Sequence, residues 1–586
     1  MMERAGVFIG VDKTGDLQRL NDAASGARRM YEWALSQGMP DQTHAKLITD
    51  EGGARVTSDR IYDAIKEIID GPGVDQLIVY YAGHGVNINR GEQWLLTDAP
   101  VRTSAAVNVS GSVELARYCG IRHVVLISDA CRVVPEGIQA QNVRGVDIFP
   151  NEGVGERAMP VDQFFACLLG RTAAEIKDPA VAADNFRALY TDALLDALKG
   201  ARIEVLQPSD TAGDGAQYVK PVRLEEYLEH ELPQRVANLR LQGKVNQNPD
   251  AILTAHPYWV SRLTALPPPA PRFRGVAMAA PPESMQQITT MLVQPVMGDV
   301  SGSLNDALAR LGTARISGTA RIVHTVQQVA APFGPDHFET QCGFKVRGAR
   351  LEHFYAPHAD GEILGQELLR ISSRPDYPAS DVLLVFEDGA GCVLPAIQGF
   401  LGGITIENGE ISDVSYEPSA NSIRWDEYQS KAAEVRALRA IAAAATGHGG
   451  FRLTADNSGD IARRMQYAKG VDPTLAVYAA YAYHDLQLID GIREMSRYMR
   501  DDLGAVLFDL KLLGKELVGG SPYTDLKIVP FIPLFSQGWA LLNANRVRLH
   551  PALDGIERSM RESTWSLFNR EGVKMLARAL GSKGAI

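Results

Sequence analysis

Short runs of β-branched and aromatic residues alternate, through the first half of the chain, with stretches in which apolar residues return every three or four positions. The runs Val7–Val11, Ala45–Ile48, Gln76–Ala82, His123–Ile127 and Gln163–Leu169 predict strands. Between them, Asn21–Leu35, Thr57–Ile69, a segment near Ser112–Tyr118 and Arg187–Leu198 predict helices. In the second of these helices Ile61, Ala64, Ile65 and Ile68 fall on one face, and Thr57 or Ser58 stands where an N-cap is needed. Leu77–Tyr81 and Val124–Ile127 are unbroken apolar runs, the signature of parallel strands covered on both faces. The expectation is an α/β fold with a parallel-dominated sheet sandwiched by helices, a class that binds ligands beyond the C-terminal ends of its strands.

The pattern changes after residue 265. Pro267, Pro268, Pro269, Pro271, Pro281 and Pro282 interrupt a stretch without apolar period, which reads as a linker over 266–284. From 285 to 420, short strand-like runs such as Val382–Phe386 are closed by glycine-rich turns, and an α+β domain of unknown role is expected. From 421 to 586 the pattern is mainly helical, with Trp425, Tyr428, Val435, Leu438 and Ile441 near one face and longer periodicity over Pro473–Leu517. There is no internal repeat.

The chain has 586 residues, 45% hydrophobic and 22% charged, which is the balance of an ordinary globular protein of several domains. Its net charge of −11 gives little counterion release on nucleic acid, so no nucleic-acid partner is expected. The first residues reach Asp12 too soon for a signal peptide, and Ile528–Phe535 is too short and too broken by Pro530 and Pro533 for a membrane span. No membrane partner is expected. Five cysteines, Cys119, Cys131, Cys167, Cys342 and Cys392, without a C-x-x-C pair argue against a disulfide framework and a structural zinc site; a cytoplasmic protein with no metal and no cofactor is expected.

Chemistry concentrates at two strand ends. One is Tyr80-Tyr81-Ala82-Gly83-His84-Gly85, and the other is Ile127-Ser128-Asp129-Ala130-Cys131-Arg132. Neighbouring strands would deliver His84 and Cys131 to one sheet edge as a catalytic dyad, in which the imidazole takes the thiol proton. The amides of Gly85 and Cys131 are then the natural oxyanion donors.

These two motifs, forty-seven positions apart, resemble those of the caspase and metacaspase superfamily, in which the His lies roughly 50 residues before the Cys. Asp129, two before the Cys, is similar to the bacterial metacaspase (orthocaspase) branch. Leu20-Asn21-Asp22-Ala23 resembles that family's segment after the first strand, and Phe164–Cys167 through Ala174-Glu175 with the Leu189–Leu198 helix resembles its small-subunit strand and helix. The likeness covers residues 1–265 and implies a caspase-like cysteine endopeptidase domain there. It implies that Asp22 and Asp129 line a pocket for a P1 Arg or Lys side chain, so the partners are protein substrates with basic P1 residues. It also implies a regulated zymogen in a stress, cell-death or antiviral defence pathway, with an upstream activating protease or signal. Arg144 and then Arg157, in the loop after the Cys, are the expected processing sites. Family members carry a small polar residue two before the His, where this chain has Ala82. Calcium dependence, known for some metacaspases, is not written in these residues.

Plainer readings stand beside these. Asp22 as a helix cap and Asp129 as a locally paired group remain open. Cys119, Cys167, Cys342 and Cys392 are expected to be buried structural thiols. Gly447–Gly450 reads as a helix C-cap and loop, and Gly153-Val154-Gly155 follows no strand, so it is discounted as a dinucleotide fingerprint. The alternative function is an inactive caspase-like adaptor whose C-terminal half binds a partner or signal. A serine hydrolase is disfavoured because no G-x-S-x-G elbow occurs.

Overall fold

The structure, a computed structural model, describes residues 2–17, 19–88, 91–130, 142–151, 158–166, 179–208, 215–238, 249–254, 257–264, 333, 338–446, 451, 453, 458–520 and 525–582. Its fold is mixed α/β with a parallel-rich six-stranded sheet and a helical C-terminal region. Two compact units divide the chain, 1–278 and 279–586.

In the first unit the strands are β1 (Arg4–Gly10), β2 (Ala45–Thr49), β3 (Gln76–Gly83), β4 (Gly85–Ile88), β5 (Gly91–Leu95), β6 (Ala106–Asn108), β7 (His123–Ala130), β8 (Val161–Phe165), β9 (Leu206–Pro208), β10 (Gln217–Val219), β11 (Asp250–Ile252) and β12 (Ser261–Leu263). The helices are α1 (Ala23–Ser36), α2 (Ser58–Asp70), α3 (Val109–Ala116), α4 (Pro179–Leu198) and α5 (Pro221–Asn238). The main sheet runs β11-β8-β7-β3-β1-β2, parallel throughout except for β11. Every residue of β1, β3 and β7 is buried, which accounts for their unbroken apolar runs. Phe8, Tyr80, Ile127 and Phe164 pack in one core with α1 and α4. Helix α2 is capped by Thr57, whose side chain accepts from the Arg60 amide, and it buries Ile61, Ala64, Ile65 and Ile68. The strand expected over Gln163–Leu169 is β8, set two residues earlier; Cys167 and the linker 266–284 lie outside the described residues.

The N-terminal edge of this sheet is closed by a buried polar row. Arg4 Nε donates to Gln76 Oε1 (2.7 Å), Gln76 Nε2 lies 2.8 Å from His123 Nδ1, and His123 Nε2 lies 2.8 Å from Asp162 Oδ2. The strands thus supply one polar side chain each, and Thr254, Tyr258 and Trp259 cover them. Asp162 accepts from the Thr254 amide and hydroxyl (2.7 Å each), Gln76 donates to the Trp259 carbonyl (2.7 Å), and Tyr258 stacks on His123 at 4.6 Å. Satisfied in this way, the row adds no orphaned polar group to the core.

The second unit opens with β13 (Gly343–Arg347), β14 (Leu351–Tyr355), β15 (Ala359–Leu364), β16 (Leu368–Ser373), β17 (Ala379–Phe386), β18 (Gly391–Ile397), β19 (Phe400–Glu407) and β20 (Glu410–Pro418). Helices follow: α6 (Trp425–Thr446), α7 (Ser458–Ala468), α8 (Thr474–Asp485), α9 (Ile489–Leu503), α10 (Phe508–Leu513) and α11 (Arg570–Ser582). Short strands β21 (Val506–Leu507), β22 (Ile528–Val529), β23 (Met560–Arg561) and β24 (Leu567–Phe568) intervene. Two five-stranded sheets result, β15-β16-β13-β19-β20 and β14-β17-β18-β24-β23.

Between 338 and 420 the described residues form strands and no helix; of 285–337, where the rest of the expected α+β domain falls, all but Phe333 lies outside the described residues. The helical contribution comes from later in the chain, because one core runs from Cys342 to Leu580 and β24 pairs with β18. Sheets with one apolar face need cover, and α6 to α11 provide it. Ile528–Phe535 is buried within this core, and no helix among the described residues is long and apolar enough to cross a membrane.

Arg439 of α6 is fully buried here. Its Nε meets Asp472 Oδ2 at 2.7 Å, one terminal nitrogen meets Glu417 Oε1 at 3.2 Å, and the other donates to the Tyr416 carbonyl. Removing one partner of such a buried ion group costs on the order of 3–5 kcal/mol. Asp413 is buried beside the same group, and burial, with the Asp472 charge adding to it, pushes its carboxyl up to about 7. Burial likewise lifts Asp509 to about 6. The folded state therefore holds protons that the unfolded chain releases near pH 4, and stability falls as pH rises from there through 7. We expect Asp413→Asn to raise the unfolding temperature at pH 8, by roughly 2–4 °C for each kcal/mol relieved. The pH 5–8 fall should also be shallower than in the parent chain, as checked by calorimetry across that range. An unchanged slope would remove Asp413 as its source.

Candidate active site

Strands β3 and β7 pair in parallel with Ala82 opposite Asp129 and Gly83 opposite Ala130. Both end there, at the C-terminal edge of the sheet. His84 follows Gly83 directly; Cys131 follows Ala130 in the sequence and lies outside the described residues. β1 ends one strand over, with Gly10 opposite Ala82, and a Cβ on Gly10 would stand 2.6 Å from the Ala23 carbonyl and the Ala24 Cα. Glycine at 10 is what lets α1 begin against this edge.

His84 is half-buried, and its backbone is fixed from below. Its carbonyl accepts from the Tyr81 hydroxyl and from the Leu95 amide, both at 2.9 Å. A Cβ on Gly83 would overlap that hydroxyl, so glycine is needed before the His for a packing reason. Tyr81 stacks on Trp94 (4.7 Å, 3° between planes), and Trp94 Nε1 donates to Glu92 Oε1 (2.8 Å) and Ser128 Oγ (2.9 Å). Neither Trp94 nor Glu92 was singled out in the sequence, and Tyr81 only as part of the strand-end motif. The available signal was an aromatic pair on two strands, which has no distinct spacing.

Gly85 opens β4 opposite Trp94. The Leu95 amide bonds to His84, which makes Gly85–Trp94 the pair without mutual hydrogen bonds. The Gly85 amide therefore points away from β5.

Asp22 is exposed at the N-cap of α1, and its side chain makes no cap hydrogen bond. The cap comes from Asp12, whose Oδ1 accepts the Ala24 amide at 3.0 Å; burial raises the Asp12 carboxyl. The helix-cap reading of Asp22 is corrected accordingly. Asp129 is 1% exposed, and its Oδ2 accepts from Thr191 and, at 3.2 Å, from Tyr80. Asp22 and Asp129 thus flank the same sheet edge, one exposed and one buried with its Oδ2 held by two hydroxyls.

Arg144 lies in an ordered pairing. Its amide donates to the Thr103 carbonyl (2.8 Å), the Gly145 amide to Gln93 Oε1 (2.9 Å), and Val146 bridges Val107 of β6 in parallel. Val143 is fully buried with Val86, Leu95, Ala99 and Ala106. Cleavage after Arg144 requires this segment to leave its pairing. Arg157 lies outside the described residues.

Cys119, Cys342 and Cys392 are free and buried, and burial pushes their thiols up to about 11, 12 and 12. Such thiols are poor nucleophiles at neutral pH. The His123–Asp162 pair has the look of a catalytic couple, yet it sits sealed at the opposite edge of the sheet. No group of three His, Cys, Asp or Glu placed to hold a metal ion occurs among the described residues.

No family model and no curated protein matches the chain. Among solved structures, the crystal structure of protein GSU0716 from Geobacter sulfurreducens is similar over 28% of this chain and 72% of its own, at 13% identity and a TM-score of 0.19.

A Cβ at residue 145 would overlap Gln93 Oε1 and the backbone of Val107 and Asn108. Gly145→Ala is therefore expected to release the segment. Limited trypsin digestion followed by mass spectrometry should find Arg144 cut at least about tenfold faster in this variant, since local opening sets cleavage there. Equal rates would show that the pairing does not protect the bond.

Proposed function

We propose that the first unit is a caspase-like cysteine endopeptidase of metacaspase type that cleaves proteins after Arg or Lys. The observation that carries this reading is the common end of β3 and β7: in-register parallel pairing ends β3 at Gly83, just before His84, and β7 at Ala130, the residue that precedes Cys131 in the sequence. The Y-Y-A-G-H-G and S-D-A-C-R motifs support it independently.

In this mechanism the Cys131 sulfur, its proton transferred to His84, attacks the carbonyl carbon after a basic P1 residue. The Gly85 and Cys131 amides stabilise the oxyanion, and the direction of the Gly85 amide, away from β5, suits that task. The His84 imidazolium protonates the leaving amine as the C–N bond breaks. Water, deprotonated by His84, then hydrolyses the thioester and restores the thiol. Tyr81 and the Leu95 amide hold the His84 backbone still while its ring exchanges protons. The wider role is that of a regulated zymogen in a stress, cell-death or antiviral defence pathway, switched on by an upstream protease or signal.

Fluorogenic peptides with P1 Arg, Lys, Asp or Ala test this, with and without calcium and after limited proteolysis. Cleavage confined to Arg and Lys is expected, and Cys131→Ala and His84→Ala should each lower kcat by at least about 10³-fold while the circular dichroism spectrum is unchanged. Substantial cleavage by either variant would refute the dyad, and silence of the parent chain under every condition would favour the inactive adaptor.

A further inference from the structure

Two hydroxyls hold the Asp129 carboxylate, one from the strand-end motif and one from outside it. Tyr80 is on β3, four residues before His84, and Thr191 is on α4. Thr191 donates to Asp129 Oδ2; the Tyr80 hydroxyl lies 2.6 Å from Thr191 Oγ1 and 3.2 Å from the same Oδ2. Two hydroxyl protons serve three contacts. The chain that satisfies them runs from Tyr80 to Thr191 to Asp129, with Oδ2 as a second acceptor for Tyr80, and such chains strengthen one another in a buried setting. Burial first, and the Asp129 charge second, raise the Tyr80 phenol well above its ordinary range, so it stays a donor. Gly26 of α1 covers the pair: a Cβ there would stand 3.1 Å from the Tyr80 oxygen and 3.5 Å from Thr191 Oγ1. Three elements and one missing side chain converge on a single carboxylate oxygen.

We infer that Tyr80 and Thr191 are positioning residues for substrate selection, fixing the Asp129 carboxylate so that it favours a P1 guanidinium over an ammonium. The inference rests on the endopeptidase reading above and names the selectivity of that same site. A carboxylate buried without donors takes up a proton and loses its attraction for a cation; hydrogen bonds to its charged form prevent this. With Oδ2 committed to both hydroxyls, the carboxylate has one orientation. A planar guanidinium, whose donors are also fixed, gains more from a fixed acceptor than a rotating ammonium does. Among the described side chains of the packed helices, Arg29 of α1 acts on Tyr80 and pairs with Asp192 of α4, Arg28 pairs with Glu51, Asp196 of α4 pairs with Arg235, and Glu32 is a further charge on α1; Asp22 stands at the start of α1, Asp12 beyond β1 and His84 beyond β3.

The test is steady-state cleavage of matched P1-Arg and P1-Lys peptides by the full chain, Tyr80→Phe, Thr191→Val and Thr191→Ser, at pH 6 to 8. The parent chain should prefer Arg, with a KM for Arg that is flat over this range. Tyr80→Phe and Thr191→Val should raise that KM about tenfold at pH 7, with kcat within about twofold, and bring the Arg/Lys ratio toward unity. Their KM should climb further as pH falls, because a buried carboxylate that has lost a donor takes up a proton more readily, and Thr191→Ser should restore parent behaviour. Folded variants with parent KM, Arg/Lys ratio and pH profile would overturn the inference while leaving the endopeptidase reading standing. So would a parent KM that itself rises about tenfold between pH 8 and 6, a result that needs no variant to fold. A parent chain that cleaves no basic peptide overturns the endopeptidase reading, and this inference with it.

Discussion

The in-register parallel pairing of β3 with β7 is the constraint on which the first unit depends. Both strands are buried over their whole length, so hydrophobic burial alone would tolerate a slip of the register. Polar side chains forbid it. At the strand starts Gln76 bonds to His123; near the ends Ser128 faces Trp94 and Glu92, while Asp129, on the opposite face, meets Tyr80 and Thr191. A slip of one residue would carry Ser128 and Asp129 to each other's faces and leave two buried polar groups without their partners. The desolvation penalty at both ends thus fixes which residues stand last on each strand, and with them the edge at which His84 leaves the sheet.

The second unit solves a similar problem with charge. Its Arg439 joins α6, β20 and the turn before α8, since Glu417 closes β20 and Asp472 precedes Thr474. Asp472 spends its other oxygen on the Tyr416 amide and on the Thr474 amide and hydroxyl. A guanidinium bound on three sides accepts few alternative arrangements, which suits a unit whose strands come first in the chain and whose covering helices come last. The cost is an excess of carboxylate, and at Asp413 burial, with the Asp472 charge adding to it, pushes the carboxyl up to about 7.

Much of the first unit was legible because its strands read as unbroken apolar runs and its helices as periodic ones; Thr57 and the Ile61 face of α2 are examples. The strand-end motifs placed His84 at the sheet edge for the same reason. The contacts that those motifs make were not legible. Tyr81 and Trp94 look like ordinary strand aromatics, and Thr191, sixty-two residues beyond Asp129, meets it only through the packing of α4 on β7. A cap of α1 by the adjacent Asp22 was left open beside the pocket reading, whereas the structure uses Asp12, ten residues earlier in the chain. In the second unit the strand runs were visible, but β24 reaches β18 from far along the chain, a pairing that no local pattern announces.

The segment around Arg144 is tied to the same edge by a short physical path. Val143 packs on Val86 of β4 and Leu95 of β5, and the Leu95 amide holds the His84 carbonyl. Gln93 of β5 meanwhile binds the Gly145 amide. Removing residues 143–146 from this pairing would expose Val143, unbind Gln93 and take packing from the strand that Gly85 opens. Because His84 is held by its backbone, a cut in this segment would act on the geometry of the edge itself as well as on access to it. A loop with no such pairing could change access alone.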